Sequence, residues 1–85
     1  MIRFKARRWT PQELARRLCQ IIYGTERVWQ KDTGCWQIGS ANDWWLHPKE
    51  DGTYLLHHRY GDKQRLLQFA SILAWLLDVE IVDVT

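Results

Sequence analysis

From Ile2 to Arg8, apolar and charged side chains alternate. Ile2, Phe4 and Ala6 fall on one side and Arg3, Lys5 and Arg7 on the other, the period-two pattern of a strand with one buried face. The period then lengthens. Leu14, Leu18, Ile21 and Ile22 recur at helical spacing, with Ala15 and Cys19 flanking them, while Arg16, Arg17 and Gln20 occupy the opposite face. Thr10-Pro11-Gln12-Glu13 marks where this helix starts: a capping hydroxyl, a proline suited to the first helical position, and a glutamate that completes a capping box. Gly24 stops it, because glycine enters the left-handed conformation that closes a helix at little cost.

After Thr25 the pattern returns to strand. Segments 26–30, 35–38, 43–47 and 53–60 are predicted strands. They are separated by turn chemistry at Lys31-Asp32-Thr33-Gly34, Gly39-Ser40-Ala41-Asn42 and Pro48-Lys49-Glu50-Asp51-Gly52. Short strands joined by short turns form an antiparallel meander. Asp62 then caps a second helix, rich in Leu66, Leu67, Phe69, Ala70, Ile72, Leu73, Leu76 and Leu77. Only a narrow stripe of it is polar (Gln64, Gln68, Ser71 and Asp78), and Trp75 falls on that stripe. Such a helix is expected to be buried between layers or to form a dimer seam. Residues 80–85 are β-branched and acidic. Pairing them with the first strand sets Glu80 or Asp83 near Arg3, Lys5 or Arg7. The order β-α-β-β-β-β-α-β predicts an α+β fold, one small antiparallel meander sheet with both helices on one face, in a single compact domain spanning residues 1–85.

Composition changes this picture in one respect. The chain carries six tryptophans in 85 residues, and each can bury ~200 Å². Trp29 and Trp36, on consecutive strands, are expected in the core. Trp9, just before the helix cap, is placed to staple against Leu14. Trp44 and Trp45 are adjacent in a strand and must point to opposite sides. A five-residue loop over 48–52 pairs Leu46 with Tyr54 and Trp44 with Leu56. One face then holds Trp44, Leu46, Tyr54, Leu56, His58 and Tyr60, the other Trp45, His47, Leu55, His57 and Arg59. Both faces are aromatic, and the helices cover only one. The uncovered face, together with Trp75, is the expected partner-binding surface. Its candidate residues are Trp44, Trp45, His47, His57, Arg59 and Trp75, since aromatics and arginine anchor protein interfaces.

Charge supplies the alternative. The net charge is only +2, yet residues 1–31 carry eight Lys/Arg against two Glu and residues 32–85 four against eight Asp/Glu. A nucleic-acid surface built from Arg3, Lys5, Arg7, Arg8, Arg16 and Arg17 fits this asymmetry, with Trp9 available to stack on a base. Pairing of the two ends in space is the competing account. The segment Trp9-Thr10-Pro11-Gln12-Glu13-Leu14-Ala15-Arg16-Arg17-Leu18 resembles the opening helix of small helix-turn-helix proteins such as excisionases. That resemblance implies a recognition helix over 25–31 and a wing over 36–45, although Val28 and Trp29 favour strand. The order of the inner elements is similar to that of the double-stranded RNA-binding domain, but Asp62-Lys63-Gln64-Arg65 lacks that family's lysine cluster.

Little else in the chain points to chemistry. His47, His57, His58, Cys19 and Cys35 lack the close pairs of a zinc site, so no metal and no cofactor are expected. Cys35 could approach His47 or His57 across the meander, but no phosphate loop, H-E-x-x-H or G-x-S-x-G accompanies them, and a non-enzymatic protein is expected. A charge at every second N-terminal position breaks any leader-like apolar run. The apolar stretch Leu66 to Leu77 is too short to cross a bilayer, so a cytoplasmic chain with reduced thiols and no membrane partner is expected. The expectation is therefore a small adaptor or inhibitor of the kind phages and mobile elements produce. It would dock an aromatic surface onto a larger protein or pair with itself, and small nucleic-acid-binding proteins are the alternative class.

Overall fold

In the computed structural model, which describes residues 1–85, the elements follow the order β1 (Ile2–Lys5), α1 (Pro11–Tyr23), β2 (Val28–Gln30), β3 (Trp36–Ile38), β4 (Trp44–Pro48), β5 (Thr53–His58), α2 (Lys63–Leu77) and β6 (Glu80–Val84). All six strands form one antiparallel sheet in the order β2-β3-β4-β5-β1-β6. The meander β2 to β5 is sequential. β1 is not: it inserts between β5 and β6, so its hydrogen bonds reach to the C-terminal third of the chain.

Local chemistry explains the boundaries. The capping box of α1 forms in full: Glu13 N–H donates to the Thr10 hydroxyl and Thr10 N–H to the Glu13 carboxylate, each at 3.2 Å. Gly24, at φ 73°, donates its N–H to the Gln20 carbonyl and ends the helix. Asp62 caps α2 by accepting from Gln64 N–H at 2.9 Å. The β2–β3 and β4–β5 connections use the same three-residue loop. Lys31 pairs with Cys35 around Asp32-Thr33-Gly34, and Lys49 with Thr53 around Glu50-Asp51-Gly52. The third loop residue is left-handed in each (Gly34 φ 87°, Gly52 φ 83°), the conformation such loops demand of glycine.

These loops correct two expectations. The second strand pair closes on three residues rather than five, so Leu46 faces Leu56 and Trp44 faces His58. The shift is by two residues, which preserves every side-chain face. In the first pair, Gln30 lies opposite Trp36 and Trp29 opposite Gln37. Trp29 therefore points away from the core and stands 47% exposed, whereas Trp36 is buried as expected. The strands are also shorter than their sequence patterns. β1 stops at Lys5, β2 starts at Val28, and Arg59 and Tyr60 belong to a turn. No recognition helix follows α1, because the residues required for it form β2, and so the helix-turn-helix resemblance does not extend beyond the first helix.

The core lies between one face of the sheet and the helices. Ile2, Phe4, Ile38, Leu46 and Leu56 meet Leu14, Ala15 and Leu18 of α1 and Leu66, Ala70, Leu73 and Leu77 of α2. Phe4 stacks on Tyr54 across β1 and β5, with centroids 5.6 Å apart. Trp9 joins the two helices, its indole N–H donating to the Leu77 carbonyl at 3.0 Å. The Trp36 indole N–H is buried without an acceptor. Such an orphan costs ~1–3 kcal/mol, which the burial of its ring offsets.

Candidate functional site

Because both helices lie against one face, the other face of the sheet is open, and strand alternation decides which side chains it presents. One row runs Trp29, Gln37, Trp45, His57 across β2, β3, β4 and β5. The next runs His47, Leu55, Arg3, Asp83 across β4, β5, β1 and β6. Trp45 and His57 are directly opposite and in contact, with ring centroids 5.6 Å apart. The Trp45 indole is further fixed by donating to the Asn42 side-chain carbonyl at 3.1 Å. Trp45, His47, Leu55 and His57 are each half-buried by their strand neighbours and open on their outer side. The result is a contiguous aromatic and aliphatic patch at the centre of the sheet, extended to its edge by the exposed Trp29.

Of the residues expected to bind a partner, the sheet brings together Trp45, His47 and His57. The other three lie elsewhere. Trp44 points to the helical side, where its ring packs 4.3 Å from His58 and 4.9 Å, edge-on, from Phe69 of α2. Arg59 lies past the end of β5. Its N–H donates to the Asp43 carbonyl, and its guanidinium rests 5.7 Å from the Tyr60 ring. Trp75 is 83% exposed on α2, in the opposite layer of the fold. Trp29, Gln37 and Leu55 complete the patch. Leu55 lies on the hairpin face that its sequence pattern assigns, and the glycine at the third loop position is the signal that places Trp29.

The basic residues do not converge on one surface. Arg3 and Lys5 lie on the open face, but β6 sets Asp83 opposite Arg3 and Glu80 opposite Lys5, as the sequence predicts. Arg8 approaches Asp78 at 3.6 Å, and Arg7 shares a shallow depression with Lys5, Arg8, Asp78 and Glu80. Arg16 and Arg17 lie on the solvent side of α1 with Glu13 and Glu26, and Arg17 stacks over the Trp9 ring at 5.4 Å. Each cluster of bases is thus interleaved with acids.

Cys35 and His47 do meet, at the edge of the patch, with Sγ 3.7 Å from Nε2. Burial pushes the Cys35 thiol up, and burial, helped by Lys49 and His57, pushes His47 down. Both shifts disfavour the thiolate–imidazolium form of the pair. His57 and His58 point to opposite faces of β5, and no group of three or more His, Cys, Asp or Glu side chains converges to hold a metal ion. No helix is long and apolar enough to cross a membrane. An open groove of about 330 Å³ lies at the far end of the helical side, lined by Trp44, His58, Phe69, Ile22 and Arg65. No protein-family model, no curated protein and no solved structure matches this chain, so its family stays open while its architecture, two helices on one face of a six-stranded antiparallel sheet, is α+β.

Proposed function

We infer that the protein is a non-enzymatic interaction module that docks the open face of its sheet onto a larger protein. The observation that carries this reading is the Trp45–His57 pair. It is central in the sheet, held by the Trp45–Asn42 hydrogen bond, flanked by Leu55 and His47, and uncovered by any element of the chain. A half-buried aromatic already packed against its strand neighbours loses little side-chain entropy on binding and gives a partner a large apolar contact. The interleaved acids support a protein partner over a polyanion, because Asp83 and Glu80 offset the bases nearest the patch.

A second reading rests on the same face. Successive bases stack on aromatic side chains of open sheets, and Arg3 and Lys5 lie beside the patch. It narrows the nucleic-acid alternative from the N-terminal strand and α1 together to Arg3 and Lys5 of the sheet.

Affinity capture with the intact chain and with Trp45→Ala, each with and without nuclease, separates the two readings. A protein docking module keeps its partner through nuclease treatment and loses it on Trp45→Ala, a truncation worth ~2 kcal/mol or more at a hot spot. Loss of all partners on nuclease treatment overturns the proposal. Replacing Arg3 and Lys5 by Ala leaves a protein complex largely intact and flattens the salt dependence of a nucleic-acid complex on this face.

A further inference from the structure

The two layers of the fold do not close at one end. The last turn of α1, the first turns of α2 and the strand ends that carry Trp44 and His58 enclose the groove of about 330 Å³. That volume lies at the small end of the ~300–1,000 Å³ range of ligand sites, which limits an occupant to a single ring system. Ile22, Leu66 and the rings of Trp44, His58 and Phe69 form the walls. Trp44 is central among the rings, with its centroid 4.3 Å from His58 and 4.9 Å, edge-on, from Phe69. Ile22, Trp44, His58 and Phe69 are each only half-buried. Their open surface is therefore concave and aromatic, and it is distinct from the outer face of the sheet.

Two charges complete the lining. Arg65 and Asp62 stand one helical turn apart at the start of α2, and both are exposed. Neither meets an opposite charge within the chain, whose ion pair joins Arg8 to Asp78. Asp62 caps α2 through Oδ1, which accepts from Gln64 N–H at 2.9 Å; the second oxygen of a carboxylate keeps its own acceptor capacity. His58 adds no third charge at neutral pH, because burial holds its imidazole below 6.5 against the pull of Asp43. An occupant that uses the whole lining therefore carries a ring, an anionic group and a cationic group close together. The ring gains from edge-on and offset contacts beyond its buried area. The anionic group takes the guanidinium, which pairs with a carboxylate through two parallel hydrogen bonds. An aromatic side chain inside a polypeptide brings the ring without either charge.

We propose that this groove binds a free aromatic amino acid, with its ring against Trp44, Phe69 and Ile22, its carboxylate on the Arg65 guanidinium and its ammonium on the free oxygen of Asp62. The groove opens on the helical side, so the site is separate from the docking face and does not rest on it.

Titration of the full chain with L-phenylalanine, followed by amide and indole NMR shifts, tests the site. A ligand of about twelve heavy atoms in an open groove is expected at a Kd on the order of 1 mM, so the titration runs to ~20 mM. The expected result is a saturable shift centred on the Trp44 indole, Phe69 and the first turns of α2. Phenethylamine, which lacks the carboxylate, and 3-phenylpropionate, which lacks the ammonium, each bind ~3–10-fold more weakly. Arg65→Gln weakens L-phenylalanine by a similar factor and leaves phenethylamine unchanged. Asp62→Asn preserves the cap, since asparagine caps as well as aspartate; it weakens L-phenylalanine and leaves 3-phenylpropionate unchanged. The ligand series on the unaltered chain decides the matter even where a variant fails to fold. No saturable shift by ~20 mM, or shifts centred away from the groove, overturns the proposal. Equal binding of L-leucine removes the role of the rings and overturns it too. Equal binding of N-acetyl-L-phenylalaninamide, which carries neither charge, would assign the groove to an aromatic side chain of another protein and overturn it as well.

Discussion

Trp44 and Trp45 are neighbours in β4, both half-buried, and yet replacing them has different consequences. Trp44 fills the space between the sheet and α2, against His58 at 4.3 Å and Phe69 at 4.9 Å. Trp44→Ala opens a void that the helix cannot close without moving. Fully buried Trp→Ala changes cost ~3–5 kcal/mol; scaled for partial exposure, Trp44→Ala costs about 3 kcal/mol. Trp45→Ala leaves no internal void. It removes one cross-strand aromatic contact, at ~0.2–1 kcal/mol, and one exposed hydrogen bond to Asn42, for a total of about 1 kcal/mol. In a domain of this size each kcal/mol moves Tm by ~4–8 °C. Trp44→Ala therefore lowers Tm by about 15 °C and Trp45→Ala by about 5 °C. Urea unfolding followed by far-UV circular dichroism measures both without relying on the fluorophore removed, and the slope m stays at its wild-type value in each variant. Equal losses in the two variants, or a larger loss for Trp45→Ala, would refute the assignment of the open and covered faces.

Three further outcomes follow from particular side chains. Burial holds His47 and His58 below the usual imidazole value of 6.5; the unfolded chain therefore takes up protons first, so stability is full above pH ~6.5 and declines as the pH falls below it. Unfolding free energies at pH 8 and pH 5 check this, and equal or higher stability at pH 5 contradicts it. Thr10→Ala removes the α1 cap and costs ~1 kcal/mol, read as a lower urea midpoint, with Thr10→Ser close to wild type. Gly39 is left-handed at φ 75°, and a β-carbon there would lie 2.6 Å from the Tyr23 ring, so Gly39→Ala costs at least ~2 kcal/mol from backbone strain plus displacement of the ring; a neutral thermal melt would contradict that packing.

Much of this fold is written in short-range chemistry. Thr10-Pro11-Gln12-Glu13, Gly24 and Asp62 each specify a helix end within four residues, and each end forms where the pattern places it. The faces of the β4–β5 hairpin are likewise legible, because side-chain parity survives a two-residue change in loop length. Trp29 faces outward, against its sequence pattern, for the opposite reason. A single residue of loop length, set by the left-handed Gly34, turns the strand over. The site depends on a further kind of information. Pairing β1 between β5 and β6 joins residues some fifty to eighty positions apart, and no local pattern specifies which strands become neighbours. The meeting of Cys35 with His47 and the bond from Trp9 to Leu77 likewise depend on tertiary placement.

The position of β1 has a consequence for how the chain reaches this state. β1 is synthesised first, yet its two neighbours in the sheet are made from residues 53–56 and 80–84. During translation it must wait, with Ile2 and Phe4 unprotected, until the rest of the chain has emerged. Closing that long loop is the slow step that topology imposes on folding. The two ends of the chain finish side by side, with Thr85 N–H donating to the Met1 carbonyl at 2.8 Å. A circular permutant that joins them by a short linker and opens the Glu50-Asp51 loop converts the most distant pairing, β6 with β1, into a hairpin. Its refolding rate rises, while the meander, now split, becomes the part that must find its partner across the chain.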